Sequence, residues 1–463
     1  MRYQEKVKGL YDIIRNRFYL CRDDLFIGSD RFNSALLFGV LTELNRGKQL
    51  LFGEYGGGKT TSAEYLHSLF HNLPIEMVRR VVMRGSPQLT QEKIVGRPDY
   101  GKMHQGMEEV VWQHFILVPQ KIIDEFNRIP EANQAMLLDG MDRGEWDYLN
   151  EHISTGPQPF FATCNYADRG TNTLIPPILD RFNIATECKF PGVANAVAIG
   201  YDYHHEKDRP LEDKEITDEM VRLLVSEKSY EEKKKGLKRI SEKFRKRLKK
   251  EGIDTLTEEE LDEIDKEIGK VTLDNDALTY LNFLIAELNQ HPKYGLKRSS
   301  DPISGEEGAY LFNMIKGSGS RREDKSVIRY SQSLAWLQGL EKAGLEHVLL
   351  VAPYALWHRL RLTDVVITKL KDDERTEPLD LYIIKTVLGD GTAELPGVKK
   401  RFVESRENYQ TVMNFIEQGA VLETERKFDE AQKKYEEAEK LARLFAANGK
   451  GHPIFIDLEQ ELR

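Results

Sequence analysis

The sequence predicts an α/β domain on a mostly parallel sheet, followed by helical segments. Three observations lead there. An apolar strand, KQLLF, enters the glycine-rich run GEYGGGKTT at Gly53–Thr61, and a helical pattern follows it. Short apolar runs recur at MVRRVVM, HFILV, KIID and PFFATCN, divided by helical or turn segments, as strands joined by crossover helices would be. Beyond about residue 200 the composition turns strongly charged and helical patterns take over.

At 463 residues, 40% hydrophobic and 31% charged, the chain is long enough for several domains and too polar for one continuous core. We divide it into an α/β domain over 1–200, a charged helical-hairpin insert over 201–271, a small helical domain over 272–370 and a C-terminal region over 371–463. In the insert, Tyr230, Leu237, Ile240, Phe244 and Leu248 form a narrow apolar stripe on a Lys/Arg-rich helix. Thr257 and Glu260 fit a capping box that opens an acidic helix. The basic and acidic arms are expected to face each other, with a nucleic-acid stripe as the alternative. The polar stretch Gly317–Asp324 reads as a loop. In the tail from about Pro396, Gly419, Phe428, Ala431, Tyr435 and Ala438 sit as in one tetratricopeptide-like helix pair. A lone pair of that kind needs the body or a partner to cover it.

Several classes are disfavoured. No run approaches the roughly 18 apolar residues a membrane span requires, and the N-terminal stretch lacks the apolar block of a secretory signal, so a cytoplasmic protein is expected. Cys21, Cys164 and Cys188 are far apart and lack CxxC spacing, which gives neither a disulfide framework nor a zinc knuckle. A net charge of -9 argues against a surface that is a nucleic-acid platform throughout.

Gly53-x-x-x-x-Gly58-Lys59-Thr60 satisfies the phosphate-loop pattern. Backbone N–H groups of Gly53, Gly56, Gly57 and Gly58 can wrap phosphates, Lys59 can reach the β- and γ-phosphates, and Thr60, followed by Thr61, can hold Mg²⁺. Phosphoryl chemistry also needs one carboxylate near the metal and another to activate water. Asp124 and Glu125, after the apolar run KII, fit those two roles, although an acidic pair at a strand end also favours a helix N-terminus. Asn165, after FFATC, can hold the lytic water, and is equally a common turn residue. Arg181 in ILDRF has the character of an arginine finger or of a surface ion pair.

Taken together, DEFNRIPEANQAMLLDGMDRGEW and FFATCNYADRGTNTLIPPILDRF resemble the stretch from the Walker B motif to the arginine finger in MoxR-type AAA+ ATPases, a clade shared with magnesium-chelatase and minichromosome-maintenance motors. The resemblance covers about residues 26–191 and, more loosely, 272–363. It implies an AAA+ P-loop domain with a helical lid, ATP and Mg²⁺ as ligands, and self-association into a ring, expected to be a hexamer. By the same resemblance Ile27, between Phe26 and Gly28, packs beside the adenine; Asn165 is sensor 1; Arg181 acts on a neighbouring subunit's nucleotide; Arg128 is a weaker inter-subunit contact; and Arg329, opening RYSQSLAWLQGL, is the lid arginine. Two departures stand out: DKSVIRY replaces the usual lead into the lid arginine, and Pro119-Gln120-Lys121 interrupts the strand before Asp124. The implied work is chaperone-like remodelling of protein complexes, with a protein client or a von Willebrand factor A-domain partner. A nucleic-acid motor and a metal-chelatase motor subunit are the alternatives.

Overall fold

The computed structural model describes residues 2–166, 172, 174–202, 209–291, 295–298, 310–393, 395, 397–446 and 452–462. The chain divides into two compact units, Met1–Val271 with Gln332–Glu341, and Thr272–Ser331 with Lys342–Arg463. Pro396, where the tail was expected to begin, lies outside the described residues.

A five-stranded parallel sheet forms the centre of the first unit. Its strands are β1 (Lys48–Phe52), β2 (Met83–Arg84), β3 (Lys121–Asp124), β4 (Phe160–Cys164) and β5 (Ile184–Glu187), in the order β5-β1-β4-β3-β2. All five residues of β4 are buried, as expected of a parallel strand covered on both faces. The chain leaves β1 for the far edge of the sheet and returns strand by strand. The resulting switch in strand order creates a crevice beyond the carboxyl end of β1, where open α/β sheets bind ligands. Register brings the chemistry to one level: Cys164 pairs with Phe52, and Ala162 pairs with both Leu50 and Ile123.

Helices α1 (Ser34–Asn45) and α2 (Lys59–His71) pack together in this unit. Asn33 caps α1 by accepting from the Leu36 amide at 3.0 Å. Because α1 is apolar almost all round, its residues Ser34–Leu44 are buried.

Two of the expected strand segments take other forms. HFILV is a short helix over His114–Leu117, and MVRRVVM is largely the helix Ile75–Val81, which leaves only Met83 of that run in β2. Neither run alternates with period two, and an apolar run fixes burial without fixing secondary structure. The strand before Asp124 begins at Lys121, directly after the Pro119-Gln120 interruption.

The charged segment belongs to the same unit. Helix α3 (Lys214–Leu224) packs along α4 (Tyr230–Lys250), whose Leu237, Ile240, Phe244 and Leu248 are buried. Lys243 pairs with Glu219 at 2.7 Å and Arg247 with Asp213 at 2.8 Å, so much of the basic arm faces carboxylates of α3. The acidic helix α5 (Glu258–Ile268) meets α4 at its start, where Lys238 contacts Glu258 and Glu259. The Thr257–Glu260 capping box is present.

The second unit is helical, with α6 (Asn275–Asn289), the first part of α7 (Arg321–Leu337), α8 (Leu345–Leu356), α9 (Leu379–Leu388), α10 (Val398–Thr424), α11 (Phe428–Ala446) and α12 (Pro453–Leu462). Its core holds a buried ionic group. Glu287 accepts from Arg401 Nε at 2.7 Å, from His452 Nε2 at 2.9 Å and from the Leu311 amide at 2.9 Å, tying α6 to α10 and to the segment before α12. In the α10–α11 hairpin, Gly419 lets the helices approach: a Cβ there would stand 2.6 Å from the Tyr435 ring. Ala431, Ala438 and Ala442 are buried along α11. The expected loop Gly317–Asp324 is shorter than predicted, because α7 already begins at Arg321. The Ser320 amide donates to Glu323 Oε2 at 3.1 Å and stabilises that helix start. No described helix is long and apolar enough to cross a membrane.

Candidate nucleotide site

At the carboxyl end of β1 the chain turns through a loop that only glycine tolerates at two points. Gly53 has φ +151° and lies so close to the Cys188 carbonyl oxygen that a Cβ would stand 2.6 Å from it. Gly58, at φ +76°, is the N-cap of α2 and packs against the Tyr19 ring. The loop therefore leads directly into a helix N-terminus, where backbone N–H groups and the helix dipole favour anions.

Lys59 is buried at the start of α2, and its Nζ donates to the carbonyls of Gly53 and Glu54, both at 2.9 Å. Burial lowers its pKa from the ordinary lysine value. The ammonium is thus held inside the loop by weak neutral acceptors, for which a phosphate oxygen is a stronger replacement.

Across the crevice, β3 and β4 deliver the acidic and amide groups. Thr60 Oγ1 donates to Asp124 Oδ1 at 2.5 Å. Thr163 Oγ1 donates to the same oxygen at 2.7 Å and accepts the Glu125 amide at 2.9 Å. Asn165 Nδ2 donates to Glu125 Oε1 at 3.2 Å, and Arg128 Nε meets Glu125 Oε2 at 3.2 Å. Asn165 is itself fixed where its carbonyl accepts from Asn127 Nδ2 at 3.0 Å. Glu125 adopts a left-handed backbone, φ 52° and ψ 49°, at the turn out of β3. A non-glycine residue there costs roughly 1–3 kcal/mol and persists only where its surroundings enforce it. Here the enforcing contacts are the Thr163 hydroxyl on the amide and the two groups that hold the carboxylate.

The fold thus gathers Thr60, Asp124, Glu125 and Asn165 into one cluster hydrogen-bonded through Thr163, beside Gly53–Gly58 and Lys59. Thr61 follows in the first turn of α2, half-buried. Ile27 is half-buried in a small hairpin of Leu25–Ile27 with Asp30–Phe32. Arg181 is held within its own subunit: Nε pairs with Asp142 Oδ2 at 2.9 Å and Nη1 donates to the Pro177 carbonyl at 2.9 Å. Arg329 belongs to the second unit and corrects an expectation, since it lies well inside α7 and does not open it. The cap at Ser320 moves the helix start upstream.

Sequence reading missed Thr163 and Tyr19 as parts of the site's frame, and gave Arg128 an inter-subunit contact where it meets Glu125 of its own chain. Thr163 was detectable, because it lies two residues before Asn165 on β4 and so shares its face. Tyr19 and Cys188 come from distant parts of the chain and gave no local signal. All three cysteines are buried free thiols, and burial pushes Cys164 up to about 12 and Cys188 up to about 11, which removes them from nucleophilic roles at neutral pH.

Residues 48–182 match the AAA domain of the dynein-related subfamily, a span from the first residue of β1 to the residue after Arg181. A crystal structure from Cytophaga hutchinsonii, of a protein provisionally assigned as an ATPase, is similar at a TM-score of 0.51 and 18% identity. The similarity covers 80% of this chain and 91% of that one. At that identity the likeness establishes the AAA+ fold with its helical region. No curated protein sequence matches the chain significantly.

Proposed function

We propose that the chain hydrolyses ATP as a ring-forming AAA+ motor of MoxR type that remodels protein complexes. The observation that carries the hydrolytic reading is the continuous run of hydrogen bonds from Thr60 through Asp124, Thr163 and Glu125 to Asn165, beside a phosphate loop whose lysine is already turned inward.

The donor set fits Mg²⁺. Thr60 Oγ1 and Asp124 Oδ1, two hard oxygens 2.5 Å apart next to the loop, suit a cation that takes few protein ligands and retains water. Thr60 would bind it directly and Asp124 would hold it in place. Bound there, Mg²⁺ supplies charge neutralisation at the phosphates. The chain's own residues do the rest. Gly56–Gly58 and the first turn of α2 present N–H groups to the phosphates, and Lys59 exchanges its carbonyl partners for phosphate oxygens. Glu125 takes the proton of the attacking water, and Asn165 orients the Glu125 carboxylate through Oε1.

Arg181, supplied to the next protomer's nucleotide, accounts for the ring. Its guanidinium must then leave Asp142, so activity requires assembly. Arg329 takes the lid-arginine role by resemblance, and Ile27 a place beside the base. Remodelling of a protein client, with a von Willebrand factor A-domain partner, also rests on resemblance to MoxR-type proteins. The α10–α11 hairpin supports it as a docking element, since Val421, Phe428 and Leu444 are exposed there. The basic helix presents less free charge than its sequence does, because Lys238, Lys243, Arg245, Arg247 and Lys249 each meet a carboxylate, which favours the remodeller over a nucleic-acid motor.

Affinity capture with a Glu125→Gln variant and ATP tests this reading of the work done. A protein client retained with ATP and released without it is expected. Recovery of nucleic acid in its place overturns the remodeller assignment.

A further inference from the structure

A second cluster with ligand character lies away from the phosphate loop. His67 and His71, four residues apart on α2, share one face of that helix, and Glu43 in the last turn of α1 points between them. Glu43 Oε1 stands 2.8 Å from His67 Nδ1 and Glu43 Oε2 stands 3.1 Å from His71 Nε2. One ligand atom from each residue can be chosen such that all three lie within 4.8 Å of one another.

The cluster is poorly satisfied as a purely organic network. His67 is fully buried and Glu43 is 3% exposed. Glu43 Oε1 and both ring nitrogens of His67 are buried with no well-aligned hydrogen bond, so the 2.8 Å approach of Glu43 to His67 acts chiefly as a charge contact. The backbone of Lys121 lies within interaction distance of the imidazole. The ring itself is clamped edge-on to Phe161 at 5.0 Å and lies 5.2 Å from the His71 ring. Buried polar atoms without well-aligned hydrogen bonds are costly, and a metal ion would satisfy them together.

We propose that Glu43, His67 and His71 bind a divalent transition-metal ion, zinc by donor chemistry, that clamps α1 to α2. Two imidazoles and a carboxylate are a common zinc donor set, with metal–ligand distances near 2.0–2.2 Å. Donor atoms in such a tetrahedron are roughly 3.3 Å apart, close to the separations already present around Glu43. A water from the side of His71, the most exposed of the three at 14%, completes four ligands. The Lys121 backbone then becomes the outer-shell acceptor that fixes the His67 tautomer. The ion is separate from the nucleotide's Mg²⁺, because seven to eleven residues of α2 separate Thr60 from the histidines, roughly 10–16 Å along the helix. Its role is to fix the distal end of the helix whose first turn grips phosphate, so that clamp and loop share one rigid element.

The test uses the full chain without nucleotide, stripped with a chelator and titrated with Zn²⁺ and with Co²⁺. We expect one Zn²⁺ per chain by elemental analysis, a Co²⁺ visible spectrum with the intensity of four-coordinate geometry, and a rise in Tm on adding Zn²⁺. His71→Gln changes the least buried ligand and should fold, as circular dichroism would verify. It should weaken Zn²⁺ binding by more than the roughly 10–100-fold that loss of an outer-shell partner costs. If the wild type takes up no stoichiometric zinc, or if His71→Gln binds it equally well, the metal site is overturned. The Co²⁺ spectrum of the wild type decides independently of any variant: an octahedral, aquo-like spectrum also overturns the proposal.

Discussion

Thr163 and Asp124 form the junction of the candidate site: the Thr163 hydroxyl donates to the Asp124 carboxylate at 2.7 Å while accepting the Glu125 amide at 2.9 Å. One side chain on β4 thus fixes both acidic residues at the end of β3. Thr163→Val keeps the shape and removes the hydroxyl. The Glu125 amide is then left without that partner, at a cost of about 1–3 kcal/mol. Turnover should fall by about 10-fold or more while ATP affinity stays nearly unchanged, because the phosphate loop is not touched. Steady-state ATPase assays and nucleotide titration check both halves.

Asn165→Ala removes the amide that holds Glu125 Oε1. A water-activating carboxylate that loses its orientation forfeits part of a general-base contribution of about 10²–10⁴. The expected result is a loss of about 100-fold in kcat with little change in KM. A change confined to KM would assign Asn165 to nucleotide binding instead.

Arg181→Ala should leave ATP binding to the single chain unaltered and remove assembly-dependent turnover. The arginine pairs with Asp142 in its own subunit, so Asp142→Asn should by contrast release it for a neighbour. Mixing Arg181→Ala with Glu125→Gln protein tests the arrangement. Each variant lacks one half of a shared site, and partial recovery of activity in the mixture is expected.

The buried group around Glu287 makes the helical unit acid-sensitive. Burial by itself would raise the Glu287 carboxyl, but Arg401 and His452 outweigh it and hold it at about 2, below the ordinary 4.5. Burial lowers His452 from its ordinary 6.5. Both folded values lie below the unfolded ones. The stability they contribute is therefore complete above pH 6.5, declines as the unfolded histidine takes its proton, and declines further from pH 4.5 towards 2. Hydrogen exchange of α6 between pH 8 and 3 should show constant protection above 7 and progressive loss below. Glu287→Gln, which leaves Arg401 buried without its counter-charge, should cost about 3–5 kcal/mol.

Gly419→Ala places a methyl group against the Tyr435 ring, where the gap is 2.6 Å. Overpacking of this kind costs about 1–3 kcal/mol. The α10–α11 hairpin should loosen, with faster amide exchange in both helices, while ATPase activity is retained.

Most of the site was legible because its parts are local. A strand, a glycine loop and a helix follow one another at Lys48–His71, and Asp124-Glu125 and Asn165 each end an apolar strand. What was not legible depends on register and on distant packing. The partner of Asp124 is set by how β4 lies beside β3, and no spacing along the chain encodes that pairing. The apolar run of HFILV carries no period that separates strand from helix, and the cap at Ser320 lies upstream of the apolar pattern that marks the helix around Arg329. His67 and His71 show helical spacing in the sequence, but Glu43 joins them only through the packing of α1 on α2.

In the proposed mechanism Glu125 activates water at a site that binds ATP without it. Glu125→Gln keeps the length of the side chain and removes the base, so the direct measurement is ATP affinity together with steady-state phosphate release for wild type and variant. Affinity within a few-fold of wild type and turnover lower by about 10²-fold or more are expected. Phosphate release by Glu125→Gln at the wild-type rate would contradict this mechanism.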